Sequence, residues 1–247
     1  MKQLNEKVAV VTGSSTGIGR AVAFLFAAEG ADVIVTSNAS KEDGVRVAND
    51  LIKLGSNASY FQADLTKKED VEKLFNHVKE KYGKLDILVN NAGRTYNVPF
   101  HNIDEATFNK DLNVNLTSAL LCSQQAIRLM DKGSIINTAS IRGLAESGRP
   151  GIMGYCAAKA ALISLTKNLA MELAPNIYVN AVAPGFVYTK YMDTVTDEMK
   201  QKWLDQIPIK RFIQPDEIAK VYLMLATSNI FTGTVITPDG GYTLLGR

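Results

Sequence analysis

The stretch that most constrains the fold joins a short apolar segment to a helical one through closely spaced glycines. Residues 7–12 (KVAVVT) are rich in β-branched side chains, which is typical of a strand buried on both faces of a parallel sheet. Gly13, Gly17 and Gly19 follow, and residues 20–29 have a helical pattern. The sequence therefore predicts a strand, a tight glycine turn and a helix in immediate succession.

Strands and helices keep alternating along the rest of the chain, with a period of about 30 residues. Further strands are predicted at residues 31–36, 59–63, 85–90, 134–138, 177–182 and 234–237, and helices at residues 40–54, 67–82, 104–130, 154–173 and 215–226. We therefore expect an α/β fold with a doubly wound, parallel seven-stranded sheet and helices on both faces, as in a Rossmann fold. A length of 247 residues suits one domain, and we expect residues 1–247 to form it.

The glycine turn also has a chemical interpretation. A backbone that turns tightly can approach a pyrophosphate, which then binds the amide groups at the N-terminus of the following helix. The spacing GxxxGxG differs from the GxGxxG pattern of dinucleotide-binding turns, and a plain tight turn is the alternative. The candidate cofactor-binding residues of this turn are Gly13, Ser15, Thr16, Gly17, Ile18 and Gly19.

Polar residues end several strands at the edge where sheets of this kind bind ligands. Asp64 ends the third strand, residues 90–93 (NNAG) close the fourth, and Ser140 follows the fifth. Structural alternatives exist, because Asp64 can cap the following helix and asparagines favour turns. Asn115 lies within a helical stretch although asparagine is a poor helix former, which indicates a polar network or a bend.

Tyr155 and Lys159 are four residues apart, and on a helix they share one face. At about 5 Å and an effective dielectric of ~20, the ammonium favours the phenolate by roughly 3 kcal/mol, or about 2 pKa units. Such a shift moves the pKa of a phenol into a range useful for proton transfer. A surface tyrosine beside a solvated lysine is the alternative, since the chain has 9 Tyr and 27 Lys plus Arg.

Composition argues against several other classes of protein. The net charge of +2 with interspersed charges gives no nucleic-acid footprint, and the longest apolar run, residues 21–28, is far shorter than the ~20 residues of a membrane span. His77 and His101 are isolated, so we expect no metal site. No charged and then apolar leader opens the chain, and Cys122 and Cys156 are its only cysteines, so we expect a reducing, cytoplasmic setting.

Together, in order and in spacing, these motifs resemble the short-chain dehydrogenase/reductase family over essentially the whole chain. The resemblance implies hydride transfer between a nicotinamide cofactor and a carbonyl or alcohol. It also implies a catalytic tetrad of Asn115, Ser140, Tyr155 and Lys159. Beyond the glycine turn, the implied cofactor-binding residues are Ser37, Asn38, Asp64, Leu65, Asn91, Ala92, Gly93, Tyr155, Lys159, Pro184, Gly185, Val187 and Thr189.

The resemblance assigns each member of the tetrad a role. Tyr155 gives or takes the proton, and Ser140 holds the substrate oxygen and stabilises the developing alkoxide. Lys159 lowers the pKa of Tyr155 and binds the nicotinamide ribose, while Asn115 bends its helix and holds a water behind Lys159. The chain departs from the family in one respect: 15 residues separate Ser140 from Tyr155, more than is common, and the extra length lies in residues 145–153, beside the substrate.

Cofactor preference depends on the end of the second strand, 20 residues after Gly17. A carboxylate there binds the ribose hydroxyls and repels a 2′-phosphate. Ser37 and Asn38 stand at this position, both uncharged hydrogen-bond donors, and Lys41 is near enough to help bind a phosphate. We therefore favour NADPH, while the absence of an arginine from this stretch keeps NADH open.

The substrate is the least determined feature. Arg128 matches a position where bacterial 3-oxoacyl-acyl-carrier-protein reductases of the family present a basic residue to the acidic carrier, although an arginine at a helix end commonly only complements the helix dipole. A second basic residue expected near residues 175–176 is missing, and Arg142 and Arg149 either replace it or bind a small anionic substrate. We expect reduction of 3-oxoacyl-[acyl-carrier-protein] or a related ketone, with sugar or polyol oxidation as the alternative and a non-catalytic nucleotide-sensing protein as a remote one.

The resemblance also implies an assembly. Relatives of this length are usually tetramers built on two long helices, here residues 104–130 and 154–173, and on the C-terminal strand, so we expect a homotetramer. Some apolar side chains of these helices must face the sheet and others are available for contacts between subunits. The candidates are Leu120, Leu121, Leu162 and Leu165.

The segment of residues 189–212 has a weaker periodicity than the rest of the chain. It mixes an amphipathic helical pattern with Met192, Met199 and Trp203, which is typical of a mobile lid over an apolar pocket. A packed helical insertion is the alternative.

Overall fold

The computed structural model describes residues 2–145 and 148–245, and within these ranges seven strands form one parallel sheet. The strands are β1 (Val8–Val11), β2 (Asp32–Ser37), β3 (Ser59–Gln62), β4 (Ile87–Asn90), β5 (Gly133–Thr138), β6 (Ile177–Val182) and β7 (Val235–Ile236). Their order is β3-β2-β1-β4-β5-β6-β7, so the direction of winding reverses between β1 and β4. The predicted doubly wound sheet is confirmed, and the reversal places the ligand-binding crevice at the carboxyl ends of β1 and β4.

Helices cover both faces of this sheet. They are α1 (Gly17–Ala28), α2 (Lys41–Lys53), α3 (Lys68–Tyr82), α4 (Glu105–Leu112), α5 (Ser118–Ala126), α6 (Met153–Leu173), α7 (Asp197–Asp205) and α8 (Pro215–Thr227). The helix predicted at residues 104–130 is divided, because a π-helical turn, Asn113–Thr117, separates α4 from α5. None of the helices in the described ranges is both long and apolar enough to cross a membrane.

Two apolar layers hold the helices to the sheet, one on each face. Val11 packs with α1, α2 and α8 on one face, while its neighbour Val10 packs with α3 and α5 on the other. Successive side chains of a strand point to opposite faces, so a strand covered on both sides is continuously apolar. This is why residues 7–12 lack the alternation of a half-exposed strand.

A third apolar cluster covers the carboxyl edge of the sheet. Met192, Trp203 and Phe212 are buried there against Ile141, which follows β5, and against Tyr242 near the C-terminus. Residues 189–212 are therefore packed by their own large side chains, as the packed-insertion alternative predicts. Opening and closing of this segment during turnover stays a prediction.

Candidate active site

The glycine turn between β1 and α1 needs glycine for two reasons, a left-handed backbone at some positions and close contacts at others. Gly13 and Gly17 have φ angles of 63° and 58°, in the left-handed region that favours glycine. A Cβ on Gly19 would lie 2.4 Å from Asn91 Nδ2 and 2.6 Å from the Gly13 carbonyl oxygen. The N-cap residue of α1, Thr16, makes no side-chain cap, so the first amides of the helix have no capping side chain and suit an anion. This cradle fits the pyrophosphate of a dinucleotide.

The motif after β4 holds this turn in place. The Asn91 and Ala92 amides donate to Thr12 Oγ1 at 2.8 and 2.9 Å, and Asn91 Nδ2 donates to the Thr12 carbonyl at 2.9 Å. On the other side, a Cβ on Gly17 would lie 3.5 Å from Thr189 Cγ2. The structure thus brings the predicted residues of three separate loops into one crevice. Thr12, which ties two of these loops together, was not among the predicted site residues.

Ser37 and Asn38 at the end of β2 face different ways. Ser37 is only 6% exposed, and its hydroxyl donates to the Ser40 carbonyl at 3.0 Å and lies 2.9 Å from the Tyr60 hydroxyl. Asn38 and Lys41 are exposed. The expectation that both uncharged residues present donors to a cofactor therefore needs correction, since the Ser37 hydroxyl is used inside the protein.

Asp64 holds the turn that leads from β3 into α3. Its Oδ1 accepts from the Thr66 amide at 3.2 Å and from Thr66 Oγ1 at 2.7 Å, while Leu65 is buried beside it. This turn is close to the capping role that was the structural alternative. An adenine contact for Asp64 and Leu65 stays a prediction.

Lys159 is buried beneath the crevice, with 3% of its surface exposed. Its ammonium donates to the Thr138 carbonyl at 2.6 Å, and a Cβ on Gly93 would lie 3.5 Å from Nζ and 2.8 Å from Asn115 Oδ1. Burial lowers the pKa of Lys159 to about 8. The absence of a side chain on Gly93 thus leaves the lysine and the asparagine facing the same small space.

Asn115 lies in the π-helical turn and is 1% exposed. Its Nδ2 donates to the Arg94 carbonyl at 2.7 Å and to the Asp111 carbonyl at 3.0 Å, and its Oδ1 accepts from the Arg94 amide at 3.2 Å. The sequence predicts a polar network or a bend at Asn115, and the structure has both a polar network and a helix irregularity there. Arg94 takes part through its backbone alone, so no side-chain pattern could have identified it.

The pKa of Tyr155 depends on the burial of its phenol and on its neighbours Ser140 and Arg142. Burial raises the pKa of the Tyr155 phenol, while a hydrogen bond with Ser140 and the positive charge of Arg142 lower it in part. The net direction is opposite to the predicted one, because burial outweighs the influences that lower the pKa. The Lys159 ammonium is directed at the Thr138 carbonyl and lies 5.6 Å from the centroid of the Tyr155 ring. The lysine and tyrosine do share a helix face, as the spacing predicts.

Two close backbone contacts position Ser140. A Cβ on Gly143 would lie 2.6 Å from the Lys159 carbonyl carbon, so the turn after Ser140 rests directly on α6. The Ile141 amide donates to the Pro184 carbonyl at 3.2 Å, which ties the same turn to the loop after β6. Gly143 was missed by sequence reasoning, and only its position three residues after the serine could have suggested it.

The rest of the loop after β6 is fixed from both sides. A Cβ on Gly185 would lie 2.7 Å from Asp239 Cα, and Val187 is 8% exposed and bridges to Ile213. Thr189 then reaches Gly17, as described above. Arg128, by contrast, is exposed and precedes β5, at the edge of the sheet opposite to Ser140, which follows that strand.

Comparison with known proteins agrees with this geometry. The sequence profile of the enoyl-(acyl carrier protein) reductase family matches residues 13–243. The chain is 41% identical over 246 residues to the 3-oxoacyl-[acyl-carrier-protein] reductase FabG of Aquifex aeolicus, covering 97% of this chain and 98% of that protein. It is 38% identical over 245 residues to the protein of the same name from Thermotoga maritima, with the same coverage of 97% and 98%. The crystal structure of a short-chain type dehydrogenase/reductase from Mycobacterium marinum superposes with a TM-score of 0.91 at 35% identity, over 97% of this chain and 96% of that one.

Proposed function

Since the chain belongs to the short-chain dehydrogenase/reductase family of NAD(P)-dependent oxidoreductases, we propose that it reduces a ketone to a secondary alcohol with NADPH, with 3-oxoacyl thioesters as the substrate class. The observation that carries the proposal is the assembly of Asn115, Ser140, Tyr155 and Lys159 beside a glycine cradle that fits a pyrophosphate. All four tetrad residues are retained, which argues against a non-catalytic sensor.

Each residue of the site has its own role in the proposed reaction. The glycine turn, residues 91–93 and the loop after β6 would hold a nicotinamide cofactor, which when bound would supply the hydride for the carbonyl carbon. Tyr155 donates its phenolic proton to the carbonyl oxygen, so that hydride and proton together give the alcohol. Ser140 donates a hydrogen bond to the same oxygen and stabilises the negative charge that develops on it. Lys159 and Asn115 return a proton towards Tyr155 through the space beside Gly93.

NADPH is favoured over NADH by the end of β2. No carboxylate stands there, and the exposed Asn38 and Lys41 offer a donor and a positive charge to a 2′-phosphate. Ser37 contributes indirectly, because its buried hydroxyl holds the backbone that carries Asn38.

An acyl carrier protein is the proposed donor of the substrate, as the names of the FabG relatives indicate for those proteins. Arg128 lies at the opposite edge of the sheet from Ser140 of its own chain. It can therefore guide a carrier only to the site of a neighbouring subunit, which links this proposal to the homotetramer. Met171 on α6 and Leu244 near the C-terminus are each 84% exposed and suit such an interface, whereas Leu162 is 1% exposed and packs inside.

Residues 1–247 are proposed to act as a single domain, with residues 189–212 as the wall or lid over the substrate. Both cysteines are free thiols, and the thiol of Cys122 is buried, which supports the predicted reducing, cytoplasmic setting.

The test is a substrate and cofactor profile of the unmodified protein. NADPH oxidation with acetoacetyl thioesters, faster than with NADH and without comparable NAD⁺ reduction by sugars or polyols, is the expected result. Comparable oxidation of a sugar or polyol with NAD⁺ would move the protein to the dehydrogenase alternative, and reduction of a C=C bond in an enoyl thioester would move it to enoyl reduction. Sedimentation of a monomer at micromolar concentration would contradict the tetramer.

A further inference from the structure

The loop between Ser140 and Tyr155 places an arginine directly beside the reacting groups. The Arg142 amide donates to Ser140 Oγ at 3.1 Å, so the side chain of Arg142 begins two residues from the serine. Its Nη2 donates to the Tyr242 hydroxyl at 3.2 Å, and its Cζ lies 5.2 Å from the centroid of that ring and 5.6 Å from that of Phe186. The charge of this guanidinium reaches the Tyr155 phenol.

A second arginine of the same loop lies against the same layer of rings. Arg149 Cζ is 5.3 Å from the Trp203 ring, which stacks on Phe186 with centroids 4.9 Å apart. Phe186 in turn meets the edge of Tyr242 with centroids 5.2 Å apart. Within residues 2–145 and 148–245, Arg149 is partly buried and makes no hydrogen bond or ion pair.

Guanidinium groups in this setting are suited to one kind of ligand. The planar group presents paired N–H donors that match a carboxylate or a phosphate, and an aromatic face beneath it fixes its plane while excluding water. The loop of residues 141–154 contains two arginines and one acidic residue, Glu146, which lies outside the described residues. The two guanidinium groups therefore place positive charge on the substrate side of the site, and the buried carboxylate of Asp111 lies against Gly154 at the end of the same loop.

We propose that Arg142 and Arg149 form an anion subsite, and that the substrate is a ketone that carries a carboxylate or phosphate. The inference rests on the proposed ketone reduction and specifies its substrate class. Two sources share this chemistry: the carboxylate of a free 3-oxo acid, and the phosphate of the pantetheine arm that carries a 3-oxoacyl group.

The test compares three ketones with NADPH in excess: acetoacetate, its neutral methyl ester and acetoacetyl coenzyme A. In the unmodified protein we expect kcat/KM for an anionic ketone to exceed that for methyl acetoacetate. Arg149→Gln should lower kcat/KM for the anionic ketone by about tenfold to a hundredfold, the usual effect of losing a charge-assisted hydrogen bond. The rate with the methyl ester should change by less than about threefold.

Matched variants separate recognition from packing. Arg20→Gln removes a guanidinium that also lies over a ring, 4.4 Å from the centroid of Phe24, but away from the substrate side. It should leave all three rates unchanged. Arg142→Gln removes the hydrogen bond to Tyr242 as well as the charge, so Arg142→Lys is measured beside it. Arg149→Gln carries the test alone if a variant at 142 fails to fold.

Each outcome has a definite meaning. Loss with acetoacetate assigns the subsite to a carboxylate, and loss confined to acetoacetyl coenzyme A assigns it to the phosphate of the arm. If both arginine variants reduce acid, ester and thioester as the unmodified protein does, the rings and arginines are only packing and the subsite is overturned. If the unmodified protein reduces none of the three ketones, the proposed reduction itself is wrong and the subsite with it.

Discussion

The two sides of the crevice have different linings, since the cofactor side is lined by backbone and the substrate side by side chains. On the cofactor side, backbone packs against backbone: Gly13, Gly19 and the Asn91–Ala92 pair leave no space for further atoms, and Thr12 bonds to the amides. On the substrate side, the walls are side chains: two arginines lie over a cluster of three packed rings, Phe186, Trp203 and Tyr242.

This difference explains how one fold can keep its cofactor while changing its substrate. A backbone cradle accepts almost no substitution, so its ligand is fixed by geometry. A wall of side chains can be exchanged residue by residue without disturbing the sheet, so its ligand varies between relatives. Single substitutions on each side can test whether this division holds in the present chain.

Tyr155→Phe removes the proposed proton donor, which lies between the two sides. We expect turnover to fall by at least ~10², because general acid catalysis typically contributes that much, while NADPH affinity stays within about twofold. Fluorescence titration of NADPH and steady-state rates measure the two quantities. A variant that keeps a near-normal rate would exclude Tyr155 as the acid.

Asn38→Asp tests whether one exposed position determines the preference for NADPH over NADH. At about 5 Å and a dielectric of ~20, a carboxylate repels each unit charge of a 2′-phosphate by roughly 3 kcal/mol, enough for about a hundredfold loss of NADPH affinity. The ratio of kcat/KM for NADPH to kcat/KM for NADH should fall accordingly.

Ser37→Asp is the matched comparison, because Ser37 is 6% exposed and its hydroxyl is bonded inside the protein. A charge there should lower the free energy of unfolding by about 2–4 kcal/mol rather than reverse the cofactor preference. Reversal by Ser37→Asp in a stable protein, with no effect of Asn38→Asp, would show that the two residues exchange orientation when cofactor binds. If the unmodified protein already prefers NADH, the interpretation of both Ser37 and Asn38 as favouring NADPH is wrong.

Gly19→Ala tests the rigidity of the cofactor side. Its Cβ would lie 2.6 Å from the Gly13 carbonyl oxygen, so the turn must move, at a cost of about 1–3 kcal/mol, and NADPH affinity should fall by about tenfold. Gly148→Ala, in the substrate loop, is the control, since a Cβ there meets no atom within 4 Å. Equal effects of the two substitutions on NADPH affinity would remove the distinction between the two sides.

The cofactor side was also the more predictable from sequence. Apolar strands, glycines and the tetrad have local signatures, so the sheet and the residues that meet in the crevice could be predicted. The inward turn of Ser37, the support of Asn115 by the Arg94 backbone and the raised pKa of Tyr155 depend on contacts between distant segments. Local spacing contains no information on these contacts, which is why the prediction from the spacing of Lys159 and Tyr155 left out the burial that raises the pKa of Tyr155.

The smallest expected effect is a change in stability, and Lys159→Met tests it through the energetic cost of burying the ammonium. Burial lowers the pKa of Lys159 from its ordinary value of 10.5 to about 8. Between these values the unfolded chain binds a proton that the folded chain has released, so this group makes the free energy of unfolding rise with pH. Between pH 8 and pH 9 the rise amounts to about 1 kcal/mol, below the pH at which phenols titrate.

The Met variant should lack this rise while losing turnover, because it keeps the volume of the side chain but neither the charge nor the bond to the Thr138 carbonyl. Denaturant unfolding at pH 8 and pH 9 measures the difference, and Lys167→Met, an exposed lysine on the same helix, controls for the loss of one charge. Identical pH dependence in the unmodified protein and the Met variant would mean that the buried ammonium is fully compensated where it lies. The positive charge beneath the proposed nicotinamide site would then carry no cost in stability, and the cofactor side would be no more strained than the side-chain wall opposite it.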